Sequence, residues 1–225
     1  MLERKETEKM MKTAFHKVVL TVALLLAPVV AHADDLSRGF VHLGVADVKL
    51  ADKGTTYAAG APLVGATYST NHTTPLMLEA GYFVTRTLAV QASIGSQETT
   101  HNIPGGTLAG YPNLADDHFH IGTLTLACHP WRARTVSPYF GAGLGFHFAD
   151  GATDGLLSNF KVKNAAGLAL QAGVDVKITP RAGFYVDLKK LFYVTPVTGD
   201  LGAVPLSASG RLDPVIVQAG VSLRF

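Results

Sequence analysis

The sequence has one cysteine, one tryptophan and, beyond residue 33, no apolar run long enough for a membrane helix. Cys128 has no partner for an internal disulfide, so it reads as a small apolar residue on a strand face rather than as a cross-link. Charge excess is missing too. Residues 1–33 carry five Lys/Arg and three Glu, which leaves fourteen side chains of each sign in the rest of the chain. A neutral body lacks the basic footprint of a nucleic-acid binder, and no such partner is expected. The pairings that catalysis needs are also lacking: there is no His-x-Ser pair, and hydroxyls on outward strand positions have no His beside them. Asp116-Asp117-His118-x-His120 could offer metal ligands, with His118 and His120 on one strand face. No third fixed ligand or supporting shell is visible, so these residues read as a solvated rim. Neither an enzyme nor a cofactor is expected.

The first 33 residues have the features the remainder lacks. Lys12 and Lys17 precede an apolar run from Val18 to Val30, broken by Pro28, and Ala31-His32-Ala33 follows. This is the order of a secretory signal peptide, with cleavage predicted before Asp34 and a mature chain of residues 34–225. Lys5, Lys9 and the adjacent Met10-Met11 point to a start at Met10 or Met11. The mature chain begins without Cys, which argues against a lipoprotein.

Mean hydropathy is nevertheless positive. The apolar residues are spread as alternation, the pattern of strands with one greasy and one polar face. In residues 215–225, Val215, Val217, Ala219, Val221, Leu223 and Phe225 point one way, and Ile216, Gln218, Gly220, Ser222 and Arg224 the other. The same period predicts strands at 40–48, 76–84, 88–95, 118–129, 139–148, 168–178 and 184–193, eight in all. In the fourth, Phe119 and Ile121 are out of phase with Leu124, Leu126 and Cys128, which predicts a bulge near Gly122.

Connections alternate between long segments (50–74, 96–116, 150–163 and 195–213) and short turns. With an even strand number, both termini fall on the short-turn side. Alternation, connection lengths and terminus placement together predict an all-β fold, an eight-stranded antiparallel transmembrane β-barrel of the outer-membrane type. Tyr82, Trp131, Tyr139, Phe184 and Phe225 are predicted as one interfacial girdle and Phe146, Phe148, Phe192 and Tyr193 as the other.

Three segments carry a resemblance to a known family. Pro138-Tyr-Phe-Gly-Ala-Gly-Leu-Gly-Phe146, Gly167-Leu-Ala-Leu-Gln-Ala-Gly-Val-Asp175 and Arg211-Leu-Asp-Pro214 are similar to three motifs of the OmpW family of small outer-membrane proteins, in the same order. The resemblance implies an outer-membrane location in a Gram-negative cell. It also implies a narrow lumen that binds or passes small hydrophobic molecules, with outer-membrane lipid as surroundings. The terminal Phe225, with Val217, Val221 and Leu223, resembles the signal that such barrels present to the barrel-assembly machinery.

The lumen-facing set is predicted as Glu79, Gln91, Gln171, Asp175, Lys177, Asp187, Lys189, Gln218 and Arg224. Asp175, Lys177, Asp187, Lys189 and Arg224 lie on neighbouring strands and are expected to form one network filling the lumen. Gly141, Gly143, Gly145 and Ala169 are expected to leave open volume above it, beside Leu191 and Ile216. Such an apolar pocket over a polar floor suits a small hydrophobic ligand, which could leave sideways into the membrane. A closed structural or adhesive barrel with partner-binding loops is the alternative. A membrane-embedded hydrolase and a soluble lipocalin-like barrel are weaker ones.

Overall fold

The computed structural model describes residues 37–225 apart from Asp52 and Pro112, so the predicted signal segment lies outside the described residues. The strands in chain order are β1 Gly39–Lys49, β2 Lys53–Ala58, β3 Ala61–Pro62, β4 Ala66–Thr70, β5 Leu76–Phe83, β6 Leu88–Gly95, β7 Glu98–Gly106 and β8 Ala115–Cys128. They continue as β9 Val136–Asp154, β10 Ser158–Val162, β11 Ala165–Lys177, β12 Ala182–Phe192, β13 Val194–Leu201, β14 Val204–Arg211 and β15 Val215–Arg224. Eight of these close an antiparallel ring in the order β1-β5-β6-β8-β9-β11-β12-β15. The ring shuts where β15 pairs with β1 and β8 with β9.

Period-2 sequence becomes a two-sided wall. Leu43, Val45, Leu168, Leu170, Phe184, Val186, Val217 and Leu223 stand on the outside, each more than 40% exposed, so the ring wears a continuous apolar belt. A soluble protein would leave such a belt in water; a bilayer covers it. The connections at one end are short, and two use the same device. Thr85 Oγ1 accepts the Leu88 N–H at 2.9 Å, and Thr179 Oγ1 accepts the Ala182 N–H at 2.9 Å, so each threonine closes its own four-residue turn.

Several strand glycines serve as seats for aromatic rings. A Cβ at Gly81 would lie 2.1 Å from the Phe40 ring, and one at Gly173 would lie 2.4 Å from Tyr139. At the seam, a Cβ on Gly39 would come within 2.4 Å of Phe225. Phe225 also exchanges both backbone hydrogen bonds with Gly39, at 2.9 and 3.0 Å.

Four expectations need correction. The segments predicted as long loops are largely strand: β13, β14, β2, β3 and β10 form a second, five-stranded sheet, while β4 and β7 extend the wall beside β8. These strands build a vestibule on the long-connection end of the barrel. Second, no bulge interrupts β8 at Gly122, whose pairing with β9 runs evenly from Phe119 to Cys128. Phe119 and Ile121 simply face inward and are about 1% exposed; the register shift lies nearer the rim, between His118 and Phe119. Third, Tyr139 and Tyr193 belong to no girdle, because both are buried inside the wall. Fourth, the volume beside Gly145 is filled by Leu191, whose Cδ2 would lie 2.9 Å from a Cβ there.

Candidate functional site

The lumen is organised in layers. At the short-turn end, the Arg132 guanidinium lies 3.5 Å over the Phe83 ring. Burial, with Arg38 and Arg224 nearby, pushes it down to about 10, so it is still a cation at neutral pH. Phe40 and His129 pack beside Phe83, and the Lys177 ammonium donates to the Arg132 carbonyl oxygen at 2.5 Å. These groups stop the barrel on that side, leaving a residual cavity of about 40 Å³.

Above them lies a charged layer. Lys189 donates to Glu79 at 2.7 Å and to Asp187 at 3.0 Å, and the Tyr139 hydroxyl donates to Asp187 at 2.6 Å. His42 has Nδ1 at 3.0 Å from Glu79 and Nε2 at 3.1 Å from Asp175. Both ring nitrogens of His42 thus face carboxylates, and its imidazole links the Glu79 side of the layer to the Asp175 side. A second cation, Arg224, lies 3.1 Å from Asp175. Tyr185 stacks on His42 with ring centroids 4.1 Å apart. Next to this layer Thr125 donates to Gln171, and Gln171 bonds Gln91, which reaches His129 at 3.2 Å.

The network therefore differs from the predicted one in its wiring. Among the described residues, Asp187 and Lys189 reach Asp175 and Arg224 only through Glu79 on β5 and His42 on β1, and Lys177 stands apart on the Arg132 carbonyl. Glu79, Gln91, Gln171, Asp175, Asp187, Lys189 and Gln218 are buried, whereas Lys177 and Arg224 are half-buried at the short-turn end. Val217, Val221, Leu223 and Phe225 are exposed on the outer wall. His42 is the member of the network that strand parity could place inside but could not connect, because its partners come from strands distant in sequence.

Over the charges sits an apolar plug of Met77, Phe119, Ile121, Ala169, Leu191 and Ile216. It occupies the height at which the sequence predicted an open pocket. The open space lies higher, within the vestibule: a cavity of about 90 Å³ between Leu114, Leu157, Phe160, Val197, Leu206 and Leu212, with threonine hydroxyls between them. Asp117 and Thr100, paired across β8 and β7, form part of its lining.

At the rim the predicted acidic and histidine group is dispersed into pairs. Asp116 accepts from His101 at 2.8 Å and from Asn113, while His118 contacts the hydroxyls of Thr99 and Thr153, each at 2.9 Å. Partial burial works against ionisation of Asp116, but the hydrogen bonds from His101 and Asn113 outweigh it and hold the carboxyl below its usual value of 3.8. Among the described residues no three such side chains converge as metal ligands would.

A closed eight-stranded antiparallel ring with an apolar belt, a filled polar lumen and an elaborated long-connection end defines an outer-membrane β-barrel. The OmpW family model matches residues 38–225, and the chain belongs to that family. It is 27% identical over 172 residues to outer membrane protein AlkL of Ectopseudomonas oleovorans, covering 76% of this chain and 75% of that one. It is 25% identical over 183 residues to the dibenzothiophene metabolism operon protein PahQ of Pseudomonas aeruginosa, covering 81% and 86%. Among solved structures, OprG of Pseudomonas aeruginosa shares the fold with a TM-score of 0.79 at 20% identity, over 84% of this chain and 96% of that one. AlkL in lipid bilayers superposes with a TM-score of 0.67 at 24% identity, over 88% and 94%. The protein is an outer-membrane protein.

Proposed function

We propose that the barrel takes small hydrophobic molecules from outside the cell into the outer membrane, without catalysis, and that the vestibule cavity is where they are first held. The observation that carries this reading is the position of the cavity: an apolar hollow at the end with long connections, which face outward in outer-membrane barrels. Burying an apolar solute there gains about 25 cal/mol for each Å² removed from water. Similarity to a protein of a dibenzothiophene metabolism operon supports the same solute class. Below the cavity the apolar plug and the charged layer block the axis, so a solute entering here departs through the wall into lipid.

The test is uptake. Cells making the protein should accumulate a sparingly soluble aromatic such as toluene faster than cells without it, and Phe160→Arg in the cavity wall should abolish the gain. Equal rates with and without the protein would refute the reading. The filled lumen also suits the second reading, a closed barrel that presents its outer sheet to a partner, and equal rates would leave that one standing. Assembly belongs to the same proposal: Phe225 and the outer row Val217, Val221 and Leu223 are read as the signal for the barrel-assembly machinery, and residues 1–33 as the cleaved secretion signal of a single-domain barrel.

A further inference from the structure

The cavity in the vestibule is not uniformly apolar. Its floor holds two polar side chains more than nine-tenths buried, Asp117 at 6% exposure and Thr100 at 2%. Asp117 places Oδ2 3.3 Å from Nε2 of His147, a residue with no exposure that stacks on Phe119 at 4.8 Å. Its second oxygen, Oδ1, has no hydrogen-bond partner among the described residues, and the Thr100 hydroxyl has none either. A buried carboxylate oxygen and a hydroxyl left open on one wall of an apolar hollow are costly unless something donates to them. Among the described residues no cationic side chain lines the cavity.

We propose that Asp117, with Thr100, is the specificity-determining group of the vestibule, accepting a hydrogen bond from the polar end of the bound molecule. The solutes it favours have a small apolar body ending in a donor, such as an alcohol, phenol or amine, and it rejects those ending in a carboxylate. The proposal rests on the vestibule being a binding site. An acceptor with a free lone pair satisfies an O–H or N–H, whereas a second carboxylate brought against it meets like charge in a space with little water. Discrimination of this kind exceeds what an apolar wall achieves alone, because the wrong ligand leaves the site's own polar groups unpaired. Size sets the scale of the ligand. The cavity of about 90 Å³ is smaller than the ~150 Å³ apolar cavity that holds benzene, so one ring or a short chain fills it and reaches its mouth.

The full chain, folded in lipid nanodiscs at pH 7, would be titrated with toluene, benzyl alcohol, benzylamine and sodium benzoate. Binding is followed through the amide resonances of Thr100, Asp117 and the cavity strand β13. Benzyl alcohol and benzylamine are expected to bind at least fivefold more tightly than benzoate, and Asp117→Asn is expected to bring that ratio below twofold by admitting benzoate. Thr100→Val, which keeps the carboxylate, should weaken benzyl alcohol while leaving benzoate excluded. A smaller ratio in the unsubstituted protein, or a ratio that Asp117→Asn leaves unchanged, overturns the assignment while toluene binding still upholds the vestibule as a site. If no probe, toluene included, shifts these resonances, the assignment and the binding reading fall together.

Discussion

Lys189 on β12 and Glu79 on β5 meet at 2.7 Å inside the barrel although two other strands, β15 and β1, separate them around the ring. The contact spans the lumen, so it ties opposite walls rather than neighbouring strands. Both side chains are at most 1% exposed, and each has a second charged partner, Asp187 and His42 respectively. Removing one member leaves another charge buried without compensation. Lys189→Met and Asp187→Ala are each expected to cost about 3–5 kcal/mol. The exposed loop substitution Lys163→Ala should change little. Urea unfolding in lipid vesicles reads the difference, and equal midpoints for the three variants would show that the charges are not a closed network. The double variant Glu79→Gln/Lys189→Met should lose less than its two single variants together.

The faces of β15 can be tested one residue apart. Val221 lies in the lipid-facing row, whereas Ser222 is fully buried opposite His42 on β1. Val221→Arg places a charge in hydrocarbon at a cost of about 2–4 kcal/mol near the midplane. Ser222→Ala removes a hydroxyl with no hydrogen-bond partner among the described residues and should be mild. Yields of heat-modifiable, folded barrel should therefore separate the two variants; the reverse order would mean the wall is inside out.

Glycine seats give a steric prediction. Gly81 accepts the Phe40 ring so closely that any Cβ displaces it, and Phe40 packs in turn on His42 and Phe83. Gly81→Val should disrupt this end of the lumen and lower the unfolding midpoint. Val84→Ala, at an exposed position three residues on, should leave it nearly unchanged. Partial rescue of Gly81→Val by Phe40→Ala would confirm that the clash, rather than β-propensity, is responsible.

The rim carries a pH response. Because Asp116 is held below its usual value of 3.8 in the folded chain, its pairing contributes stability that is present above that value and lost as pH falls through the lower, folded one. Amide protection factors, taken relative to the intrinsic exchange rate at each pH, should fall in β7 and the outer part of β8 below about pH 3.8, while the lumen strands stay protected. Asp116→Asn should remove the pH dependence of this protection and leave it lower at neutral pH. An unchanged profile in that variant would assign the response to another group.

What could be read in advance follows from which interactions are local. Alternation set the faces of the eight ring strands because parity is a property of each strand alone, as in Val217 out and Gln218 in. Phe119 and Ile121 broke the expected lipid-facing phase because they belong to an apolar layer of the lumen. The sequence implies a bulge only if every apolar residue faces outward, and these two face the lumen. The second sheet lies within the segments that the sequence reads as long connections. Yet Ala59 at φ 48 and Gly60 at φ 83 make the two-residue turn between β2 and β3, and Gly202 at φ 60 opens the one between β13 and β14. His42 with Asp175, and Asp117 with His147, depend on how the ring closes, and no short-range pattern reports that.

Conductance should follow from the same layering. An eight-stranded ring encloses little more than its own side chains, and here the axis is obstructed twice, by the apolar plug around Leu191 and Ile216 and by the charge layer around Lys189. Ions crossing it would have to pass an apolar constriction and then displace paired charges. Planar bilayers containing the protein should therefore show low, sporadic openings rather than steady porin-like steps. A solute seated in the vestibule lies above both obstructions, so a small apolar solute such as toluene should alter these openings in a saturable way. Ile216→Gly, which thins the plug, should raise the conductance, and Lys189→Met, which opens the charge layer but leaves the plug intact, should raise it less. Large steady currents in the unsubstituted protein would mean that the lumen is open, and the route through the wall would then be unnecessary.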